Sequence, residues 1–176
     1  IVRLRGSPIR SSTTLSTFTL RPSLPIALGL ASILLVFTGD AGVWVFLERI
    51  GSSILDRELG GNLVSINLLA GAMGSLTAAV VGNKMGYLVP MIIAIALSII
   101  SIAILNLASA PLLLLTGSFI NGWAWNFGAA YRMALVSELD RDRQFVALIP
   151  AMQTLGNALG PLLVGSIIVW SSFAAA

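Results

Sequence analysis

Between Met85 and Tyr131 the chain contains no Asp, Glu, Lys, Arg or His. As one helix this stretch would run roughly 70 Å at about 1.5 Å per residue, more than twice a hydrocarbon core of about 30 Å. It must therefore turn back on itself at least once. The whole sequence agrees: 57% of its 176 residues are hydrophobic and 10% charged, against roughly 25% charged in ordinary soluble domains. A water-soluble globular domain is excluded, and an all-α, polytopic membrane helix bundle is predicted. There are no cysteines and no histidines, which removes disulfide scaffolds, thiolate chemistry, zinc clusters and His-dependent triads. No metal site and no cofactor is expected. The net charge of +3 does not point to nucleic acid, because Arg3, Arg5, Arg10 and Arg21 all precede the first apolar run, where basic residues act as topology determinants.

Residues 1–25 are rich in Ser, Thr, Pro and Arg and read as a poorly ordered cytosolic loop or tail. Residues 26–176 form the transmembrane bundle, with spans at about 26–47, 63–82, 88–107, 112–136 and 145–170. Pro111 suits the first turn of the fourth span, where its missing N–H has no helical partner to lose. Residues 48–62 are expected to be a loop. Counting basic residues alone places the leading segment, 83–87 and 137–143 in the cytosol, so the N-terminus is inside. The first residue is Ile and the last six form no polar tail, so an incomplete chain is expected. The predicted location is an integral membrane protein of the bacterial inner membrane.

Polar residues inside the spans are the candidates for function. Asp40 is the only acid within a span, where it costs roughly 2.5–3.5 kcal/mol near the bilayer centre and so faces a cavity or a partner. Asp40, Trp44 and Leu47 share a helical face. In the fourth span Asn121, Trp125, Gly128 and Arg132 fall in one stripe, with Asn126 beside it. Arg132 lies nearer the boundary, and is expected to snorkel or to pair with Glu138, Asp140 or Asp142. Asn67, Gly71 and Gly74 share a face of the second span, and Gln153, Asn157 and Gly160 a face of the fifth. Gly74, Gly156 and Gly160 have the small-residue spacing of close helix packing, and Pro161 loosens the local backbone hydrogen bonding. Gln153 and Asn157 are equally consistent with hydrogen-bond glue and with ligand contacts. No phosphate-cradling loop, metal-ligand spacing or serine beside a base is present, and no enzyme is expected.

Several segments in this order resemble the carboxyl-terminal half of a major facilitator superfamily transporter. Gly39 to Gly51 is similar to the seventh helix of a bacterial branch. The turn Gly82-Asn83-Lys84-Met85-Gly86 is similar to the cytosolic gating loop between helices eight and nine, although Asn83 stands where that motif has an acid and Tyr87 and Leu88 where it has basic residues. Trp125-Asn126-Phe127, continuing through Tyr131, Leu139-Asp140 and Arg143 to Pro150–Gln153, and then Gly156–Pro161, complete the resemblance, which covers residues 26 to 170. It implies helices seven to eleven of a twelve-helix fold, with the amino-terminal six-helix half outside this sequence. It further implies a gating role for Gly82, Lys84 and Gly86.

The combined expectation is a secondary active carrier of a small solute, coupled to protons or another ion and working by alternating access. Its substrate path or coupling residues would be Asp40, Trp44, Asn67, Asn121, Trp125, Asn126, Gln153 and Asn157. The alternative is a non-transporting membrane subunit or receptor-like interaction protein, in which the same polar residues serve assembly.

Overall fold

A computed structural model of the protein describes residues 22–54 and 57–170. Most of the leading segment, residues 1–21, lies outside the described residues. The described chain is all helical: α1 (Leu24–Ile54), α2 (Arg57–Val81), α3 (Leu88–Leu107), α4 (Pro111–Leu139), a short 3-10 turn (Val146–Leu148) and α5 (Ile149–Trp170). Four helices are long and apolar enough to cross a membrane, over Leu24–Val45, Gly61–Val81, Leu88–Leu107 and Val146–Ile167. Their large apolar side chains face outward, for example Leu28 and Leu35 on α1, Leu69 and Leu76 on α2, and Ile92, Ile95, Ile99 and Ile102 on α3. So much exposed apolar surface belongs against lipid rather than water.

Helix α4, the fourth of the five expected spans, is not among those four. It is 29 residues long, about 43 Å, but more polar, and the reason is its position. It packs against α2, α3 and α1, while α5 lies along α1. Ser118, Asn121, Tyr131 and Arg132 are accordingly buried against other helices, where Ser118, Asn121 and Tyr131 find protein hydrogen-bond partners instead of lipid.

The expected loop at 48–62 is mostly helix, since α1 runs to Ile54 and α2 starts at Arg57. A helix satisfies its backbone internally and has no need to stop at the edge of an apolar run. Helix α1, at 31 residues, extends about 46 Å, well beyond a hydrocarbon thickness. The expected start of the last span is also refined: the 3-10 turn precedes α5. Asp140 Oδ2 accepts hydrogen bonds there from the backbone N–H of Phe145 (2.6 Å) and Val146 (2.7 Å), placing a carboxylate where free helical N–H groups favour one. Pro111 does occupy the first turn of α4, after an extended Ala110.

Apolar clusters close the bundle at both ends. At the end carrying the 82–87 turn, Ile26, Leu30, Ile33 and Phe37 of α1 meet Val136 of α4 and Ile149 of α5. At the far end Leu47, Leu63, Leu105 and Leu114 pack together. Close approach of the helices depends on glycine. A Cβ on Gly74 would strike the Trp123 carbonyl, one on Gly122 the Asn67 carbonyl, and one on Gly160 the Thr38 carbonyl, while Gly156 faces Phe37 and the Leu34 carbonyl. Pro161 lies inside α5, half-buried, and leaves the Asn157 carbonyl without its helical donor.

Candidate functional site: a polar chain across three helices

Between the two apolar clusters, side chains from α1, α2 and α4 form a continuous polar chain. Asn121 Nδ2 donates to Asp40 Oδ1 at a long 3.5 Å. Asn121 Oδ1 accepts from Asn67 Nδ2 at 3.0 Å. Asn67 Nδ2 also donates to the Ser118 carbonyl at 3.0 Å, and Ser118 Oγ donates to the Leu63 carbonyl at 2.6 Å. Asn67, Ser118 and Asn121 are buried, and Asp40 is half-buried.

This meeting follows from local sequence. The missing side chain at Gly122 lets the backbone around Asn67 lie directly on α4, and Gly71 and Gly74, on the same face of α2, accept Asn126 and the backbone at Trp123 and Phe127. Asn67 is thereby pressed into α4 at the level of Asn121. Asp40 is the least committed member. A carboxylate can accept several hydrogen bonds, and its single side-chain donor among the described residues, Asn121, sits at the outer limit of hydrogen-bond distance. It retains capacity for a proton or for a donor from a ligand. Amide orientation fixes polarity along the chain: Asn67 donates to Asn121, which donates to Asp40.

Three of the eight expected path residues, Asp40, Asn67 and Asn121, are therefore brought together, on three separate helices. Trp125 lies one turn along α4 from Asn121 and packs its ring edge-on against Phe37, with centroids 4.2 Å apart. Asn126 donates to the Gly122 carbonyl of its own helix at 3.1 Å. The other three stand apart from the chain. Trp44 is 37% exposed, although Leu47, expected on its face, is fully buried. Gln153 Nε2 reaches Met133 Sδ at 3.2 Å, joining α5 to α4. Asn157 is on the exposed side of α5.

Arg132 corrects the sequence expectation. It is 5% exposed, so it does not snorkel, and the acid close enough to act on its charge is Asp40 rather than Glu138, Asp140 or Asp142. Asp140 is engaged by the backbone at Phe145 and Val146, and Glu138 faces the Tyr87 hydroxyl. Burial of Arg132 comes from the preference of helical side chains to point back along their own helix. Its guanidinium lies over Gly128, one turn toward the polar chain. Ser118 was not singled out from sequence. Its spacing of three from Asn121 was the available signal, but serine is common in apolar helices.

The 82–87 turn depends on two glycines in left-handed conformations, Gly82 at φ 54° and Gly86 at φ 65°, which other residues adopt only with strain. Tyr131 Oη donates to the Gly82 carbonyl at 2.9 Å, tying the turn to α4. Lys84 is exposed. Beside the turn, a cleft of about 390 Å³ between α2 and α4 is lined chiefly by small residues such as Ala78, Ala130 and Ala134, with Tyr87 and Tyr131. It does not include any member of the polar chain. Among the described residues no three His, Cys, Asp or Glu side chains converge as metal ligands would.

The architecture defines the class: a polytopic helical membrane protein with a polar chain buried among its helices. No known protein family, curated protein or solved structure matches the sequence or the fold.

Proposed function

We propose that these helices form part of a secondary active transporter of the major facilitator type, corresponding to helices seven to eleven and acting against a second helical half. The observation that carries this reading is the Asn67–Asn121–Asp40 chain. Intramembrane carboxylates are rare, and they mark ion and substrate pathways. Asp40 is the group that exchanges a proton or ion, and Asn121 is the residue that senses its charge. Rocking of the two halves would expose this level of the bundle alternately to each side. In this reading the 82–87 turn faces the cytosol and Lys84 is its basic determinant.

The native sequence has no cysteine, so thiol accessibility tests the proposal without knowledge of the substrate. Asn121→Cys and Gln153→Cys would be treated in sealed, oriented membrane vesicles with a charged methanethiosulfonate from either side. Carrier function predicts that at least Asn121→Cys reacts, and that the balance between sides changes when Asp40→Asn is added. Complete protection from both sides at both positions refutes a water-accessible path here.

A membrane interaction subunit is the second reading. It is favoured by the mutual satisfaction of Asn67, Asn121 and Ser118, which is how polar residues hold helices together. It predicts complete protection in the same experiment.

A further inference from the structure

We propose that Arg132 is the anion-recognition residue of this transporter, and that its substrate carries a carboxylate or phosphate group. The inference rests on the transport reading above and adds the substrate class. Arg132 is 5% exposed, and among the described residues its buried Nε has no hydrogen-bond partner. A guanidinium carries five N–H donors, and burying such a charge without hydrogen bonds is costly. Of the acids nearest in sequence, Asp140 is engaged by backbone N–H groups and Glu138 is exposed at the end of α4, on the side of Tyr87. Asp40 is the acid whose charge acts on Arg132, and the side-chain donor held by Asp40 is Asn121. Arg132 therefore holds a buried Nε–H donor without a hydrogen-bond partner among the described residues, with Asp40 as the acid that acts on its charge.

Geometry aims those donors at the proposed path. The guanidinium folds back along α4 over Gly128, where an added Cβ would stand 2.9 Å from Nη1 and 3.1 Å from Nη2. The absence of a side chain at 128 is thus what admits the head group. Continuing along the same stripe of α4 come Trp125 and then Asn121, the hydrogen-bond partner of Asp40. Two parallel N–H donors on a planar fork match the paired oxygens of a carboxylate or phosphate. Asp40 opposes the bound anion electrostatically, so removal of its charge strengthens anion binding while leaving the Arg132 donors in place.

The test uses the protein purified in uncharged detergent, titrated with inorganic phosphate and with acetate against chloride at matched ionic strength, and followed by tryptophan fluorescence. Saturable binding of phosphate or acetate is expected. Arg132→Gln should weaken it at least tenfold, Arg132→Lys should restore part of it, and Asp40→Asn should tighten it by roughly tenfold, the scale of one charge removed nearby at intermediate dielectric. Equal binding by Arg132→Gln, or no binding of either anion by a folded wild-type chain, overturns the proposal. If Arg132→Gln does not fold, Asp40→Asn decides alone, and unchanged affinity overturns the proposal. Repeating the titration in phosphatidylcholine vesicles with and without phosphatidylglycerol separates the sources of anion. Persistence of phosphate binding supports a soluble substrate, and displacement by the anionic lipid overturns it. Thiol accessibility at Asn121 would survive any of these failures, so loss of the anion site and loss of the transport reading are distinguishable.

Discussion

Gly122→Ala tests whether the polar chain depends on contact between helix backbones. The added Cβ would run into the Asn67 carbonyl oxygen and would lie 2.8 Å from its carbon and 3.0 Å from Asn67 Cα. All three are backbone atoms, so no rotamer change relieves the clash and α2 must move away from α4. Overpacking of this kind costs about 1–3 kcal/mol. Displacement of α2 also stretches the two 3.0 Å bonds from Asn67 to Asn121 and Ser118, at about 1 kcal/mol each. Alanine returns about 1 kcal/mol of helix propensity. The net loss is about 2–4 kcal/mol, equivalent to roughly 5–15 °C in melting temperature for a chain of this size. Gly39→Ala is the control: it also lies in a helix but meets nothing within 4 Å, so it should be neutral or slightly stabilising. Thermal unfolding in detergent, followed by tryptophan fluorescence, measures both. A Gly122→Ala protein that melts with or above the wild type would refute the close α2–α4 contact and the hydrogen-bond chain built on it.

Asp140→Ala removes the acceptor for the N–H groups of Phe145 and Val146 and should lower stability by about 0.5–2 kcal/mol, as loss of a helix cap does. An unchanged denaturation midpoint would show that the carboxylate is dispensable. The Glu138 carboxylate beside Tyr87 raises the phenol above its ordinary pKa, because it favours the protonated hydroxyl and repels the phenolate. The stability from this contact is present below the ordinary tyrosine pKa and is lost as pH climbs through the raised one. In a Tyr131→Phe background, which leaves Tyr87 as the one tyrosine, absorbance titration should show late ionisation that Glu138→Gln moves downward. Identical titrations with and without Glu138 would remove the contact.

Helical periodicity already grouped Asn67 with Gly71 and Gly74, and placed Asn121, Trp125, Gly128 and Arg132 on one stripe. It could not say what each stripe would meet. Nothing in the order of residues announces that Asp40, 81 positions before Asn121, reaches it across the bundle. The same gap explains Arg132, whose position near the end of a span pointed to the boundary while its side chain turned inward over Gly128. Residues 48–62 are mostly helical where hydropathy predicts a loop, because helix continuation depends on internal hydrogen bonds and hydropathy reports only where lipid ends.

Composition and a fixed angle per residue are enough to set the lipid medium, the helical class and the faces along each helix. The packing of helix on helix is what makes α4 central, lets α2 reach it through glycine, and joins three polar side chains from separate helices. Those outcomes depend on which backbones can approach within contact distance, a property of pairs of helices that no single stretch of sequence contains.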